Sequence, residues 1–304
     1  MKLDVIRQID DEELSKLRSL FDAARAHDHH EPLGEHKWLD LVHGGRTFAG
    51  VIAREGTDVI GYAHLSRHYE KEGAHWGLEL VVHPEHRDGR VETEVLEAAL
   101  RLATEDGGGH LHLWAFQPSK VQDEIASRLG FREGRDLLHM RVDLALAVEP
   151  HFPPGVRLRS FEVGRDEDAW LEVNNRAFEH HPEQGAWDRE TLERRMAEDW
   201  FDPEGFLLAV DDSGIAGFCW TKINPRCGEI YVVGVDPSHH GSGLGKSLTI
   251  AGLNYMASKG ATTGCLYVDA AQEAPLTMYQ KLGFEVDHLD RAYAIDVPVR
   301  DLER

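Results

Sequence analysis

Three alternate glycines mark the part of the sequence best suited to chemistry. Gly241, Gly243 and Gly245 follow the apolar run that ends at Val235, and a helical pattern starts just after them. Glycine has no Cβ atom, so successive backbone N–H groups can turn toward one anion, and the start of a helix adds a partial positive charge. The segment therefore predicts a cradle for a pyrophosphate group.

Two common phosphate motifs do not fit this segment. A Walker A loop ending at Lys246-Ser247 needs a glycine where the chain has His240. A dinucleotide fingerprint starting at Gly241 needs a glycine where the chain has Lys246. The segment is then either an anion cradle of another class or simply a tight turn between the strand and the helix.

The surrounding pattern predicts the elements that hold the cradle. Two β-rich runs flank the turn at 211–214, a third apolar run covers 228–235, and helical spacing continues from Leu244 to Gly260. A buried strand and a short helix that ends at Gly283 follow. We expect an α/β fold (an α+β mixed sheet) in which the cradle joins a strand end to a helix start.

The same order of signals occurs twice along the chain. Phe131 follows Pro84 by 47 positions, and Phe284 follows Pro237 by 47 positions. Anchors held at one offset indicate a tandem duplication, with the Pro- and Gly-rich segment "EPHFPPG" as a linker. We predict two domains of one fold, 1–146 and 154–304.

Motifs of the second copy resemble those of a known family. "HHGSGLG" resembles the acetyl-CoA loop of GNAT acyltransferases, with His240 in place of the usual Gln or Arg, and "MYQKLGF" resembles their closing helix. Together with "HHPEQG", "WTK" and "GEIYVVGVDP", these motifs resemble the mycothiol synthases, which are tandem GNAT proteins. The resemblance implies two tandem GNAT (acyl-CoA N-acyltransferase) domains. It also implies acetyl transfer from acetyl-CoA to the cysteinyl amine of cysteinyl-glucosaminyl-inositol, which gives mycothiol.

The resemblance further implies where acetyl-CoA, the co-substrate, binds. In the second copy the expected contacts are Val233, Gly234, Val235, His240, Gly241, Ser242, Gly243, Leu244, Gly245, Lys246, Gln272, Glu273, Ala274, Pro275, Leu276 and Thr277. In the first copy, any remaining contact is expected at the strand end Leu80, Val81 and Val82.

Acetyl transfer to an amine needs a base, an oxyanion donor and an acid. The resemblance places the base at Glu229 and the acid at Tyr279, and a backbone N–H of the strand "YVVGV" can stabilise the oxyanion. It implies an acceptor site formed by Glu35, Glu183, Lys222, Glu229 and Tyr267, with Glu31 as an alternative to Glu35.

The first copy lacks this machinery at the fixed offset of 153 positions. Its residues at the base, the acid and the three glycines are Trp76, Ala126, Asp88, Arg90 and Glu92. Carboxylates repel a pyrophosphate, so we expect one acetyl-CoA site per chain. The first domain is then a degenerate copy that supports the fold and forms a wall of the substrate cleft.

Composition narrows the possible partners. The chain of 304 residues has 33 Lys and Arg against 54 Asp and Glu, a formal net charge of −21, which disfavours nucleic acid and suits a cationic amine. No apolar run is long enough for a membrane helix, so we expect a cytoplasmic monomer without membrane contact.

Cysteine and histidine spacing predicts neither a disulfide nor a metal site. Cys219, Cys227 and Cys265 contain no C-x-x-C pair, which fits a reducing compartment. The histidines of "HDHHEPLGEH" and "HHPEQ" lack the spacing of a zinc site.

Two other functions stay open at this point. The chain could be a GNAT enzyme for another small amine or a peptide N-terminus, although "HPEQG" and "WTK" together favour the mycothiol acceptor. It could also be an acetyl-CoA sensor without turnover, although Glu229 and Tyr279 favour an enzyme.

Overall fold

The computed structural model describes residues 1–43, 48–70, 73–144, 148–179, 184–224 and 227–299. The chain forms two compact units: unit 1 is Met1–Leu137 with Leu289–Arg304, and unit 2 is Leu138–His288. The predicted boundaries, 1–146 and 154–304, differ from these units because the last strand of each sequence half ends in the other unit.

The order of elements repeats in the two halves, as the tandem duplication predicts. The first half contains β1 (Lys2–Ile6), α1 (Asp11–Asp28), α2 (Glu35–His43), β2 (Phe48–Glu55), β3 (Asp58–Glu70), β4 (Gly73–Val82), α3 (Arg90–Glu105), β5 (Gly109–Ala115), α4 (Lys120–Arg128) and β6 (Arg132–Asp143). The second half contains β7 (Arg157–Ser160), α5 (Glu167–Ala177), α6 (Arg189–Met196), β8 (Phe206–Asp211), β9 (Gly214–Ile223), β10 (Gly228–Val235), α7 (Leu244–Ser258), β11 (Thr263–Asp269), α8 (Glu273–Lys281) and β12 (Glu285–Val297). None of the helices described is both long and apolar enough to span a membrane.

Unit 1 is built on a mixed sheet with the strand order β1-β2-β3-β4-β5-β12. β4 and β5 run parallel, and β12 pairs antiparallel with β5 from Arg291 opposite Ala115 to Val297 opposite Gly109. One apolar cluster contains residues of α3 such as Val95 and Ala99, and another contains residues of α1 such as Leu17 and Phe21. The sheet therefore carries helices on both faces.

Unit 2 repeats this plan with the strand order β6-β11-β10-β9-β8-β7. β8 and β9 form the predicted antiparallel hairpin, and β10 pairs antiparallel with β9 and parallel with β11. One apolar cluster contains Leu248 of α7 and Tyr279 of α8, and a second, aromatic cluster contains Trp170 of α5 with Phe206 and Trp220. The mixed α/β sheet predicted from the sequence is thus confirmed.

Candidate active site

The glycine loop of unit 2 has the open geometry that its sequence predicts. Gly241 and Gly243 adopt φ values of +78° and +81°, and Gly243 is the N-cap of α7 without any side-chain capping bond. Within the described chain, the backbone N–H groups of Gly241, Gly243 and Gly245 have no hydrogen-bond acceptor. Unpaired N–H groups at a helix start attract an anion, and Lys246 stands at the third helical position beside them.

The corresponding loop of unit 1 is closed by its own carboxylates. Gly89 N donates to Glu92 Oε2 at 3.0 Å, and Arg90 N donates to Asp88 Oδ1 at 2.9 Å. Gly89 is the N-cap of α3 with φ +88°, so it is the counterpart of Gly243. The fixed offset, which pairs Gly243 with Arg90, is wrong here because the second loop is one residue longer. Unit 1 therefore has a glycine at one position of the cradle, but the Glu92 carboxylate already binds the N–H group of that glycine at the start of α3.

β10 and β11 separate soon after they pair. Their parallel register covers only Gly228–Ile230 against Gly264–Leu266, and a β-bulge displaces Tyr231 from the register with β9. The rest of β10, up to Val235, has no partner on the β11 side among the described pairs. Such an opening exposes backbone groups to a ligand, and the predicted contacts at Val233, Gly234 and Val235 lie along it. His240 Nε2 contacts the Val235 carbonyl oxygen at 3.1 Å.

Three of the predicted acceptor residues share one face of the sheet. Glu229 pairs with Lys222 on β9 and with Cys265 on β11, and directly paired residues project their side chains to the same side. Tyr267, two residues beyond Cys265, projects to that side as well and is 44% exposed. We call this side, defined by Lys222, Glu229 and Tyr267, the acceptor face.

The acceptor face also carries aromatic residues that sequence reasoning missed. Lys222 Nζ lies 4.5 Å from the centroid of Trp200 and 5.5 Å from that of Tyr231. Arg195 Nε donates to the Tyr231 hydroxyl at 2.9 Å. The alternation of side chains along a strand could have indicated Tyr231, because it follows Glu229 by two positions on β10. These rings fix the lysine and leave it able to contact a polar acceptor.

Tyr279 lies on the other side of the sheet. Its ring packs at 5.6 Å from Phe284, in the apolar cluster that contains Leu248 of α7. Burial raises the pKa of the Tyr279 phenol well above its ordinary value, so the hydroxyl stays protonated at neutral pH. That hydroxyl makes no hydrogen bond within the described chain. Glu229 and Tyr279 therefore lie on opposite faces of the sheet, and the role of Tyr279 as acid stays a prediction.

The other predicted residues have more varied positions. Gln272 is the exposed N-cap of α8, and the segment 273–277 forms the first turns of that helix. Glu35 begins α2 in unit 1, whereas the alternative, Glu31, is held in an ion pair with Arg25 at 2.9 Å. Glu183 lies outside the described residues. The acceptor-binding roles of Glu35 and Glu183 stay predictions.

Unit 1 contains a cavity of about 370 Å³ at the strand ends of β4 and β5. Its lining includes Leu80, Val81 and Val82, where the sequence placed the remaining acetyl-CoA contacts, together with Glu92. The cavity has room for part of a ligand. At the N-terminus of α3 beside it, however, the Gly89 N–H already donates a hydrogen bond to the Glu92 carboxylate. One acetyl-CoA site per chain stays a prediction.

Three titratable side chains gather near Tyr267. His139 Nδ1 and His288 Nδ1 lie 3.1 Å and 2.9 Å from the same oxygen of Asp287, and the two imidazole rings stack with centroids 4.4 Å apart and 23° between their planes. Both imidazoles contact one carboxylate oxygen, and the ligand atoms of the three side chains lie within 4.8 Å of one another, close enough to hold a metal ion. The prediction of no metal stays untested.

The structure corrects the expectation that the cysteines are unpaired. Cys227, just before β10, and Cys265, on β11, form a disulfide with 6.2 Å between their Cα atoms. Sequence spacing did not indicate it because the two residues are 38 positions apart and meet only through the parallel pairing of β10 and β11. Cys219 is free and buried.

Comparison with known proteins agrees with the predicted fold and family. The model of the acetyltransferase (GNAT) family matches residues 11–131 and again 168–284. A mycothiol acetyltransferase of Thermomonospora curvata is 42% identical over 94% of this chain and 93% of its own length. One of Acidimicrobium ferrooxidans is 42% identical over 87% of this chain and 88% of its own.

Solved structures extend the similarity to the tandem arrangement. A tandem GNAT protein from the clavulanic acid biosynthesis pathway superposes with a TM-score of 0.75 at 18% identity, covering 99% of this chain and all of its own. A GCN5-related N-acetyltransferase from Sphaerobacter thermophilus gives 0.68 at 24% identity, covering 99% and 98%. By its two family matches and its full-length relatives, the chain belongs to the GNAT acetyltransferases and, among them, to the family of mycothiol acetyltransferases.

Proposed function

We propose that the protein transfers acetyl from acetyl-CoA to the cysteinyl amine of 1D-myo-inositol 2-(L-cysteinylamino)-2-deoxy-alpha-D-glucopyranoside, giving mycothiol. The observation that carries this proposal is the pairing of Glu229 with Lys222 on the acceptor face, beside a β10–β11 opening that leads to an unfilled glycine cradle. Full-length similarity to mycothiol acetyltransferases supports the same acceptor. The catalytic chemistry is assigned to unit 2.

In the proposed reaction, acetyl-CoA places its pyrophosphate on the N–H groups of Gly241, Gly243 and Gly245. Glu229 takes a proton from the cysteinyl ammonium, directly or through a water molecule, and the free amine attacks the thioester carbonyl carbon. The carbon–sulfur bond then breaks as Tyr279 gives its proton to the departing sulfur, and the second proton lost by the new amide nitrogen returns to the Tyr279 phenolate through solvent. Burial keeps the Tyr279 phenol protonated in the unliganded protein, so a proton is present on the group assigned as acid.

The test is an acceptor assay read by mass spectrometry. The purified chain, acetyl-CoA and the cysteinyl acceptor are expected to yield an acceptor carrying one added acetyl group. A dipeptide with a free N-terminus and a plain amino sugar serve as competing acceptors. Ready acetylation of either competitor, without turnover of the cysteinyl acceptor, would show a GNAT enzyme of another specificity. Binding of acetyl-CoA without turnover of any amine would indicate a sensor.

We expect Gly245→Ala to weaken acetyl-CoA binding by about tenfold without destabilising the fold. A Cβ atom at Gly245 would meet only Val235 Cγ2, at 3.5 Å, so the unliganded protein has room for it. The added methyl group would stand next to the Gly245 N–H, to which the proposed phosphate binds. Calorimetric titration gives the affinity and the number of sites, and thermal unfolding gives the stability.

Ser258→Ala, at the exposed last position of α7, is the matched control and is expected to bind acetyl-CoA normally. Wild-type protein is expected to show one site per chain. An unchanged affinity in Gly245→Ala would contradict the cradle, and two sites of similar affinity would contradict the closed N-terminus of α3.

A further inference from the structure

The disulfide Cys227–Cys265 adjoins the proposed base. We propose that these cysteines form a site of reversible thiol–disulfide exchange with a low-molecular-weight thiol and its disulfide, and that closing the pair fixes the position of Glu229. The second part of this inference rests on the proposed function, because it gives Glu229 the role of base.

The sheet register brings the disulfide and Glu229 to one face. Cys265 is paired directly with Glu229, and Cys227, just before β10, precedes Glu229 by two positions in extended chain. Residues two apart on a strand, and residues paired across strands, project to the same side. The sulfur bridge therefore crosses from β10 to β11 on the acceptor face, next to the carboxylate.

The described ladder between β10 and β11 is short. Their pairing consists of Gly228–Ile230 against Gly264–Leu266, after which the strands part. A cross-link at the start of so short a ladder restricts the movement of β10 more than it would in a long one. The position of Glu229 relative to β11 then depends on whether the bridge is closed.

The two sulfur atoms differ in access. Cys227 is partly exposed, whereas Cys265 is only 2% exposed. Asn224 Nδ2 lies 3.8 Å from Cys227 Sγ, and Cys227 N donates to Asn224 Oδ1 at 2.9 Å. An amide donor near Sγ stabilises negative charge on that sulfur, which helps it both to leave and to attack. Cys227 is therefore the sulfur that a small thiol reaches.

Full reduction of the Cys227–Cys265 bond consumes two molecules of the small thiol. The thiolate of the first attacks Cys227 Sγ, the Cys227–Cys265 bond breaks, and Cys265 leaves as a thiolate that takes up a proton. A second thiol attacks the external sulfur of the mixed disulfide, which releases the small disulfide and leaves Cys227 to take up a proton. Two electrons and two protons pass to the protein. The reverse sequence closes the pair at the expense of a small disulfide.

This site suits an enzyme whose proposed acceptor and product both carry a cysteinyl thiol. When small thiols become oxidised, the pair closes, Glu229 is held in place and acetylation proceeds faster. When small thiols are abundant and reduced, the pair opens and acetylation slows. A reversible bond of this kind is typical of reducing compartments, where disulfides are mostly transient or redox-sensing.

The first experiment counts thiols in the full-length, native protein. Protein equilibrated in its native state with excess reduced or oxidised glutathione is quenched with acid, unfolded, alkylated and weighed by mass spectrometry. We expect three alkylated cysteines after reduction and one after oxidation. The cysteine labelled in both states is Cys219, which is free and buried in the native protein. A bond that resists native reduction by glutathione would overturn the proposal.

The second experiment measures the coupling to β10. Hydrogen exchange at 228–230 is expected to be about tenfold slower in the oxidised protein, and acetylation of the cysteinyl acceptor about tenfold faster. The double variant Cys227→Ser, Cys265→Ser should have the exchange rate and the acetylation rate of the reduced protein, and oxidised glutathione should change neither. Wild-type protein in its two states supplies the same comparison if that variant fails to fold.

The outcomes separate this inference from the proposed function. Equal exchange in the two redox states would overturn the coupling of the disulfide to β10. Equal turnover of the acceptor, or faster turnover in the reduced state, would overturn the link to Glu229. Absence of turnover in both states would count against the proposed function and therefore against the link to Glu229. The thiol count and the hydrogen exchange would still show whether the cysteines form a redox site coupled to β10.

Discussion

Replacing Glu229 by glutamine is expected to slow acetylation of the cysteinyl acceptor by about 100-fold or more at neutral pH. Glutamine keeps the size and polarity of the side chain but cannot take a proton. The acceptor amine, with an ordinary pKa near 8, then has to lose its proton to solvent before it attacks. Acetyl-CoA affinity should change little, because the glycine cradle is formed by other residues.

The pH dependence distinguishes a base from a merely structural carboxylate. The defect of Glu229→Gln should shrink as pH rises through the pKa of the acceptor amine, since the free amine then forms without help. Steady-state rates from neutral to alkaline pH provide the test. Glu172→Gln, at a position whose side chain is 76% exposed, is the matched control. A defect that stays constant with pH would count against proton transfer by Glu229.

A chain shortened to begin at residue 148 is expected not to fold. It would keep the whole predicted catalytic domain but would lose β6 and the residue that follows it. Met140, Val142 and Leu144 of this segment are buried in the apolar cluster of unit 2. Burial of three such side chains contributes about 5–9 kcal/mol, a large part of the roughly 5–15 kcal/mol that stabilises a domain. Circular dichroism on heating should show no cooperative transition.

A chain beginning at residue 132 provides the control for this truncation. It differs from the first only by 132–147, which restores β6 beside β11. We expect it to recover a cooperative transition. If instead the shorter chain unfolds cooperatively at the temperature of the full-length protein, unit 2 does not depend on β6.

Sequence reasoning succeeded where the signals were local. The turn at 211–214, the apolar run before Asp236 and the glycines before α7 each lie within a few residues of the structure that they predict. The duplication was also accessible because its anchors keep a constant spacing. The GNAT fold and the mycothiol acetyltransferase resemblance, both carried by such motifs, are confirmed.

The rest depended on contacts between distant positions. The glycine loop of unit 2 is one residue longer than the corresponding loop of unit 1. A constant offset of 153 positions does not allow for that residue and therefore aligns Gly243 with Arg90 instead of Gly89. The Cys227–Cys265 pair requires knowing that β10 and β11 are neighbours. To predict that β6 ends in unit 2 and β12 ends in unit 1, one must know which neighbouring strand each of them pairs with. The hydrophobic patterns of β6 and β12 do not indicate those partners.

The path of β12 bears on how the chain folds as it is made. β5 ends at Ala115, but its partner strand is complete only at Val297, 182 residues later. At about 5–20 residues per second, a ribosome needs roughly 10–35 s to cover that distance. During this interval the edge of β5 has no native partner, and an open strand edge can pair with other chains. Nascent chains of this protein are therefore expected to need chaperones until the final strand emerges.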